Sequence, residues 1–181
     1  MALIPIFDLD GTLIDSDEAL VQAFLDLGIT RKDITFGLPA EAACVELGVS
    51  IDDYVQRYDT ESVQPFAGAE SLVASLGRWG VCSNKHPGSG HAELQRLGWV
   101  PEVVCFTDAF EGRPKYLDPV LAAMNLEPDE IVFVGDTLHD HRCAAALGAR
   151  FVWAGWNPRC VADSDLGLVL DDPRRLLDLL G

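Results

Sequence analysis

Residues 4–15 read IPIFDLDGTLID, an apolar run that ends in Asp8, Asp10 and Asp15. In extended backbone, residues two apart point the same way, so Asp8 and Asp10 share one side and Leu9 takes the other. Neighbouring carboxylates raise each other's pKa unless a cation stands between them. Gly11 then permits a sharp turn and close backbone approach to a ligand. A calcium loop would need a ligand at its fifth position and glycine at its sixth; counted from Asp8, those positions hold Thr12 and Leu13. The stretch reads as a buried strand that delivers a pair of acids at its carboxyl end.

Similar strand-length runs follow at 79–82 (WGVC), 103–106 (VVCF), 131–135 (IVFVG) and 150–154 (RFVWA). Helical spacing occupies 68–77, 91–98, 118–125 and 139–148 between them. Gly77, Gly98 and Gly148 fit helix C-caps, and Asp118 with Pro119 fits an N-cap and first helical residue. Strands alternating with helices predict an α/β doubly wound parallel sheet, whose ligands bind beyond the carboxyl ends of the strands. Residues 16–65 break the alternation with helical patterns such as EALVQAFLDLG and PAEAACVELG and no strand. They are expected to form a small all-helical insertion after the first strand, leaving 1–15 and 66–181 as the core.

The 181 residues are 49% hydrophobic, enough for one main domain with a substantial core. Thirteen Lys and Arg against 29 Asp and Glu give a net charge of −16, which opposes nucleic-acid binding. A phosphate-bearing substrate would need a local cation, most simply a metal. Five widely spaced cysteines without a CxxC pair read as reduced thiols. MALIPIF reaches Asp8 too soon for a signal-peptide core, and no apolar stretch has membrane-spanning length. The expectation is a cytoplasmic monomer or homodimer that binds neither membrane nor nucleic acid.

A second acidic group lies in VFVGDTLHDH, residues 132–141, where Asp136 closes an apolar run and Asp140 follows four residues later. If a helix begins near Thr137 or Leu138, both acids fall on one side of its first turn; taken alone, Asp136 would serve equally as an N-cap. In a parallel sheet both acidic groups emerge at one edge, and carboxylate oxygens favour a hard cation, Mg2+, over zinc. His86, His91, His139 and His141 lack a three-ligand spacing and read as surface or structural residues. VCSNK (81–85) places Ser83 and Asn84 at another strand end, and EGRPKYLDP (111–119) places Lys115 before a helix. A hydroxyl, an amide and an ammonium suit phosphate oxygens.

DLDGTLID, CSNK, PK and GDTLHD, in this order and at these spacings, resemble the four motifs of the haloacid dehalogenase superfamily. The resemblance spans nearly the whole chain and is nearest to the phosphoglycolate phosphatase-like branch. It implies a Rossmann-like core with residues 16–65 as a short helical cap, and Asp15 as the exit toward that cap. It also implies Asp8 as the nucleophile and Asp10 as the general acid and base, with the Asp10 backbone carbonyl facing the metal. Ser83 and Lys115 would hold the transferring phosphoryl group, with Gly11 and Asn84 beside it. Asp8, Asp10, Asp136 and Asp140 would form the Mg2+ site. Either Arg113 or Lys115 aligns with the third-motif cation; Lys115 is favoured because some members carry PK there.

The function this implies is Mg2+-dependent hydrolysis of a small phosphomonoester through an aspartyl phosphate, the substrate being phosphoglycolate-like, a sugar phosphate or a nucleotide. Hydrolytic dehalogenases lack the second acid of the first motif. A phosphomutase would want a His or Lys within residues 16–24, where there is none, and a non-catalytic phosphate-binding interaction protein should have lost a motif acid. Arg31, Lys32 and Arg57 are the cap cations available to a substrate carboxylate.

Overall fold

The structure is a computed structural model that describes residues 2–181. Six strands form one parallel sheet: β1 (Ile4–Phe7), β4 (Gly80–Cys82), β5 (Val103–Cys105), β6 (Ile131–Gly135), β7 (Arg150–Ala154) and β8 (Leu168–Leu170). Their order is β5-β4-β1-β6-β7-β8. The chain thus switches direction at β1, with β4 on one side and β6 on the other. The register pairs Phe7 with both Val81 and Val134, so the residues after these three strands, Asp8, Ser83 and Asp136, leave the sheet at one edge. That is where an open parallel sheet binds ligands.

Period-two alternation divides the sheet residues between two apolar layers. Phe7, Val132 and Val134 pack on one face with Leu72 of α4 (Ala69–Ser75). Ile6, Ile131 and Phe133 pack on the other with Val120 and Leu121 of α6 (Asp118–Met124) and Ala144 of α7 (Leu138–Leu147). All five residues of β6 are buried, as expected of a central strand covered on both faces.

Between β1 and β4 the chain forms α1 (Asp17–Asp26), α2 (Ala40–Leu47) and α3 (Ile51–Arg57). An antiparallel pair, β2 (Ile14–Asp15) with β3 (Gln64–Pro65), closes the base of this helical segment. Phe24, Tyr54 and Tyr58 of the segment share one continuous apolar cluster with Phe7 and Leu72. No helix among the described residues is long and apolar enough to cross a membrane.

Five local expectations need correction. Residues 64–65 do form strand, a pairing too short to leave any periodicity in the sequence. β8 is an edge strand with two of its three residues exposed, so it lacks the apolar run that marks a buried strand. Gly98 and Gly148 cap their helices in the left-handed conformation, but α4 ends at Ser75 and Gly77 caps nothing. Asp118 is the first residue of α6, behind an N-cap at Leu117, and the helix expected from residue 91 starts at Pro87 as α5 (Pro87–Leu97).

Candidate active site

The Asp8 backbone N–H donates to Val134 O at 2.9 Å, and the Leu9 N–H donates to Asp8 Oδ1 at 2.9 Å. The first acid is therefore fixed by the sheet and the following peptide before any ligand arrives. Gly11 adopts φ +75°, and a Cβ on it would lie 2.5 Å from Asp136 Oδ2, so only glycine allows the turn to press against the second acidic group. Asn157 clamps this approach, donating from Nδ2 to Gly11 O at 2.8 Å and to Asp136 Oδ2 at 3.1 Å.

After β6, Thr137 caps α7 reciprocally with Asp140: the Thr137 N–H donates to Asp140 Oδ2 at 2.9 Å, and the Asp140 N–H donates to Thr137 Oγ1. This uses one oxygen of Asp140 for the helix start and leaves Oδ1 to meet Lys115 Nζ at 2.5 Å. The same ammonium lies 2.9 Å from Asp8 Oδ2. Asn84 Oδ1 accepts the Lys115 backbone N–H at 2.9 Å and so sets the loop that carries the lysine. Ser83, Asn84 and Lys115 are all buried. Arg113 instead lies exposed, near Glu111 and the Tyr116 hydroxyl, so of the two candidate cations Lys115 reaches the acids.

Asp8, Asp136 and Asp140 each offer an oxygen within 4.8 Å of the others, and all three are buried. Burial pushes Asp136 up to about 8, reinforced by the charges of Asp8 and Asp140 against the pull of Arg159. Burial likewise raises Asp8 to about 6, although Lys115 opposes it. Lys115 is raised above its ordinary value because Asp140 and Asp8 outweigh the burial that would lower it. Three crowded, dry carboxylates fit the oxygen donor set of a hard divalent cation, which would relieve the repulsion that raises their pKa values.

Asp10 has its side chain outside that trio. Its Oδ1 accepts from Ser16 Oγ at 2.6 Å and from Lys85 Nζ at 2.7 Å. Lys85 also meets Glu93 Oε2 at 3.0 Å and donates to the Tyr58 hydroxyl at 2.8 Å. On the other flank, Arg159 bonds Asp136 Oδ2 at 2.8 Å and Asp17 Oδ2 at 2.6 Å. A small cavity of about 50 Å³ is lined by Asp8, Asp10, Ser83, Lys115 and Asp136 together with Phe36–Leu38 of the helical segment.

The remaining candidates lie elsewhere. Arg31 pairs with Glu18 and Arg57 with Asp53, at exposed positions, and Lys32 is exposed, so none of the three lines that cavity. His86 caps α5, His91 stands edge-on to Phe106 and His141 stacks on Trp153. Burial lowers the pKa of His139, whose ring lies near the Cys143 thiol.

Lys85, Glu93, Tyr58, Asn157 and Arg159 escaped the sequence reading. Lys85 directly follows Ser83 and Asn84, and Asn157 and Arg159 follow β7, so the rule that every strand's carboxyl end faces the site reaches these three. Glu93 and Tyr58 carry no such signal, since an acid in an amphipathic pattern and a tyrosine after a short helix read as surface and core.

The haloacid dehalogenase-like hydrolase family model matches residues 5–154. The chain is 26% identical to N-acetylmuramic acid 6-phosphate phosphatase of Pseudomonas aeruginosa, over 97% of this chain and 93% of that protein. It is 28% identical to a phosphoglycolate phosphatase of Xylella fastidiosa, over 89% and 83% respectively. Among solved structures, CbbY from Rhodobacter sphaeroides in complex with phosphate superposes with a TM-score of 0.75 at 21% identity, covering 99% of each chain. The sheet order, the acids at its edge and the family match over most of the chain agree, and the protein belongs to the haloacid dehalogenase-like hydrolases.

Proposed function

We propose that the protein is a Mg2+-dependent phosphatase of small phosphomonoesters that works through an aspartyl phosphate on Asp8. The observation that carries this reading is the convergence of Asp8, Lys115 and Asp136 on one small cavity, with Asp140 behind them against Lys115 and within reach of both acids. The phosphatase names of the similar proteins support it.

In the first displacement an Asp8 oxygen forms a bond to phosphorus as the bond to the leaving oxygen breaks, and Asp10 gives that oxygen a proton. In the second, water attacks phosphorus, Asp10 takes its proton, and the bond to Asp8 breaks to release inorganic phosphate. Lys115 and Ser83 bind the oxygens of the transferring group and offset the charge that accumulates on them. Asp8, Asp136 and Asp140, with the Asp10 backbone carbonyl, would hold Mg2+, which supplies charge neutralisation to the phosphoryl oxygens.

Residues 16–65 act as a cap. The cavity of about 50 Å³ is far below the roughly 300 Å³ at which small-molecule sites begin, which supports a cap that withdraws to admit the leaving group and closes to exclude water. All five cysteines are free, which supports a reducing, cytoplasmic setting. A panel of phosphorylated metabolites, assayed with Mg2+ and with EDTA, tests the reaction class. Phosphate release that requires Mg2+ is expected; a protein inert across the panel would refute the reading.

A further inference from the structure

Lys85 is a second buried ammonium, 5% exposed, and the mechanism so far gives it no task. An isolated charge at such a site is strongly unfavourable, and here the ammonium donates to Asp10 Oδ1 at 2.7 Å and to the Tyr58 hydroxyl at 2.8 Å and forms an ion pair with Glu93 Oε2 at 3.0 Å. Tyr58 completes the circuit by donating to Glu93 Oε1 at 2.9 Å. Glu93 is fully buried, and Oε2 meets only Lys85 among the described residues. A buried ion pair of this kind is seldom more stabilising than apolar residues of the same volume, so stability does not account for it. Its consequence is geometric.

We propose that Lys85, held by Glu93 and Tyr58, is the positioning residue that orients Asp10 for proton transfer and makes that orientation depend on a seated cap. The proposal rests on the phosphatase reading. Both side-chain donors to Asp10, Ser16 and Lys85, converge on Oδ1, which leaves Oδ2 as the oxygen free to face a leaving group. Asp10 lines the phosphoryl cavity and also a second small cavity that it shares with Lys85, Tyr54 and Tyr58. Lys85 belongs to the core loop after β4, whereas Tyr58 closes the end of α3 and Ser16 precedes α1. Of the three groups that fix Asp10 and Lys85, Glu93 belongs to the core helix α5, whereas Ser16 and Tyr58 belong to the helical segment, so the acid is fully oriented only when that segment is down.

The test compares two leaving groups. Nitrophenolate departs with little need of a proton, whereas a primary alkoxide needs one, and kcat/KM reports the step in which the leaving group departs. In Lys85→Met, and in the charge-balanced pair Lys85→Met with Glu93→Gln, kcat/KM on a primary alkyl phosphate should fall about 10²-fold, within the range of general acid catalysis. On p-nitrophenyl phosphate the fall should stay below about tenfold. Tyr58→Phe keeps both charges and should shift the ratio of the two substrates in the same direction by a smaller factor. Equal losses on both substrates in folded variants, or no loss, would overturn the proposal. Wild-type protein inert toward both phosphates in Mg2+ would instead refute the phosphatase reading beneath it.

Discussion

Lys115 and Lys85 are both almost completely buried, and each lies between two carboxylates, yet they belong to different kinds of structure. Lys115 bridges Asp8 and Asp140, groups fixed by the end of β1 and the start of α7, so its surroundings are complete within the sheet edge. Lys85 bridges Asp10 and Glu93 but takes its third partner, Tyr58, from the helical segment. In the proposed mechanism the phosphoryl floor is prebuilt, whereas the acid–base flank is assembled by closure. An enzyme working as proposed would bind phosphate with its cap raised and defer proton transfer until water has been excluded.

The largest expected effect sharpens that contrast. Lys115→Met removes the cation that meets both Asp8 and Asp140, and kcat should fall about 10³-fold, equally for alkyl and aryl phosphates, because the charge it balances lies on phosphoryl oxygens common to both. A substrate-selective loss would place Lys115 on the leaving-group side and break the comparison. Next is Gly11→Ala, which drives a Cβ toward Asp136 Oδ2 at a φ of +75°. It should cost about 1–3 kcal/mol of stability and weaken Mg2+ binding, read by thermal melts and by calorimetric titration.

A third expectation concerns pH. Asp8 and Asp136, raised from 3.8 to about 6 and about 8, keep protons in the folded protein at pH values where the unfolded chain has released them. Their contribution is fully present below the unfolded pKa and is lost as pH rises through the folded values. The metal-free protein should therefore lose stability between about pH 5 and 8, and Mg2+ should raise Tm more at pH 8 than at pH 6. A Tm increment from Mg2+ that is the same at both values would contradict the crowding of these acids. The smallest effect belongs to Arg113→Ala, an exposed position beside Glu111, where activity should change less than about twofold.

The same division explains what could be read from the sequence. The floor is written in short strand-end motifs: Asp8 and Asp10 two apart, Gly11 at the turn, Asp136 and Asp140 four apart. Their chemistry follows from local spacing once a parallel sheet is inferred from the alternating runs. The flank is not local, because Tyr58, Lys85 and Glu93 come from a helix end, a strand-end loop and a helix face. Their pairing depends on how the insertion packs against α5, and no periodicity encodes it. Arg159 shows an intermediate case: its strand end was foreseeable, but its bridge from Asp136 to Asp17 of α1 required the tertiary fold. The edge strand β8 went unread for a plainer reason, since two of its three residues face solvent.

In the proposed mechanism Asp8 becomes the phosphoryl carrier, while the Asp10 side chain moves protons and never carries the phosphoryl group. A single-turnover acid quench with 32P-labelled p-nitrophenyl phosphate and Mg2+, followed by peptide mapping, addresses it directly. In Asp10→Asn, where the second displacement is slowed, the label should accumulate on the peptide that contains Asp8, and Asp8→Asn should carry none and turn nothing over. Turnover without labelled protein in Asp10→Asn, or label that persists in Asp8→Asn, would contradict the account.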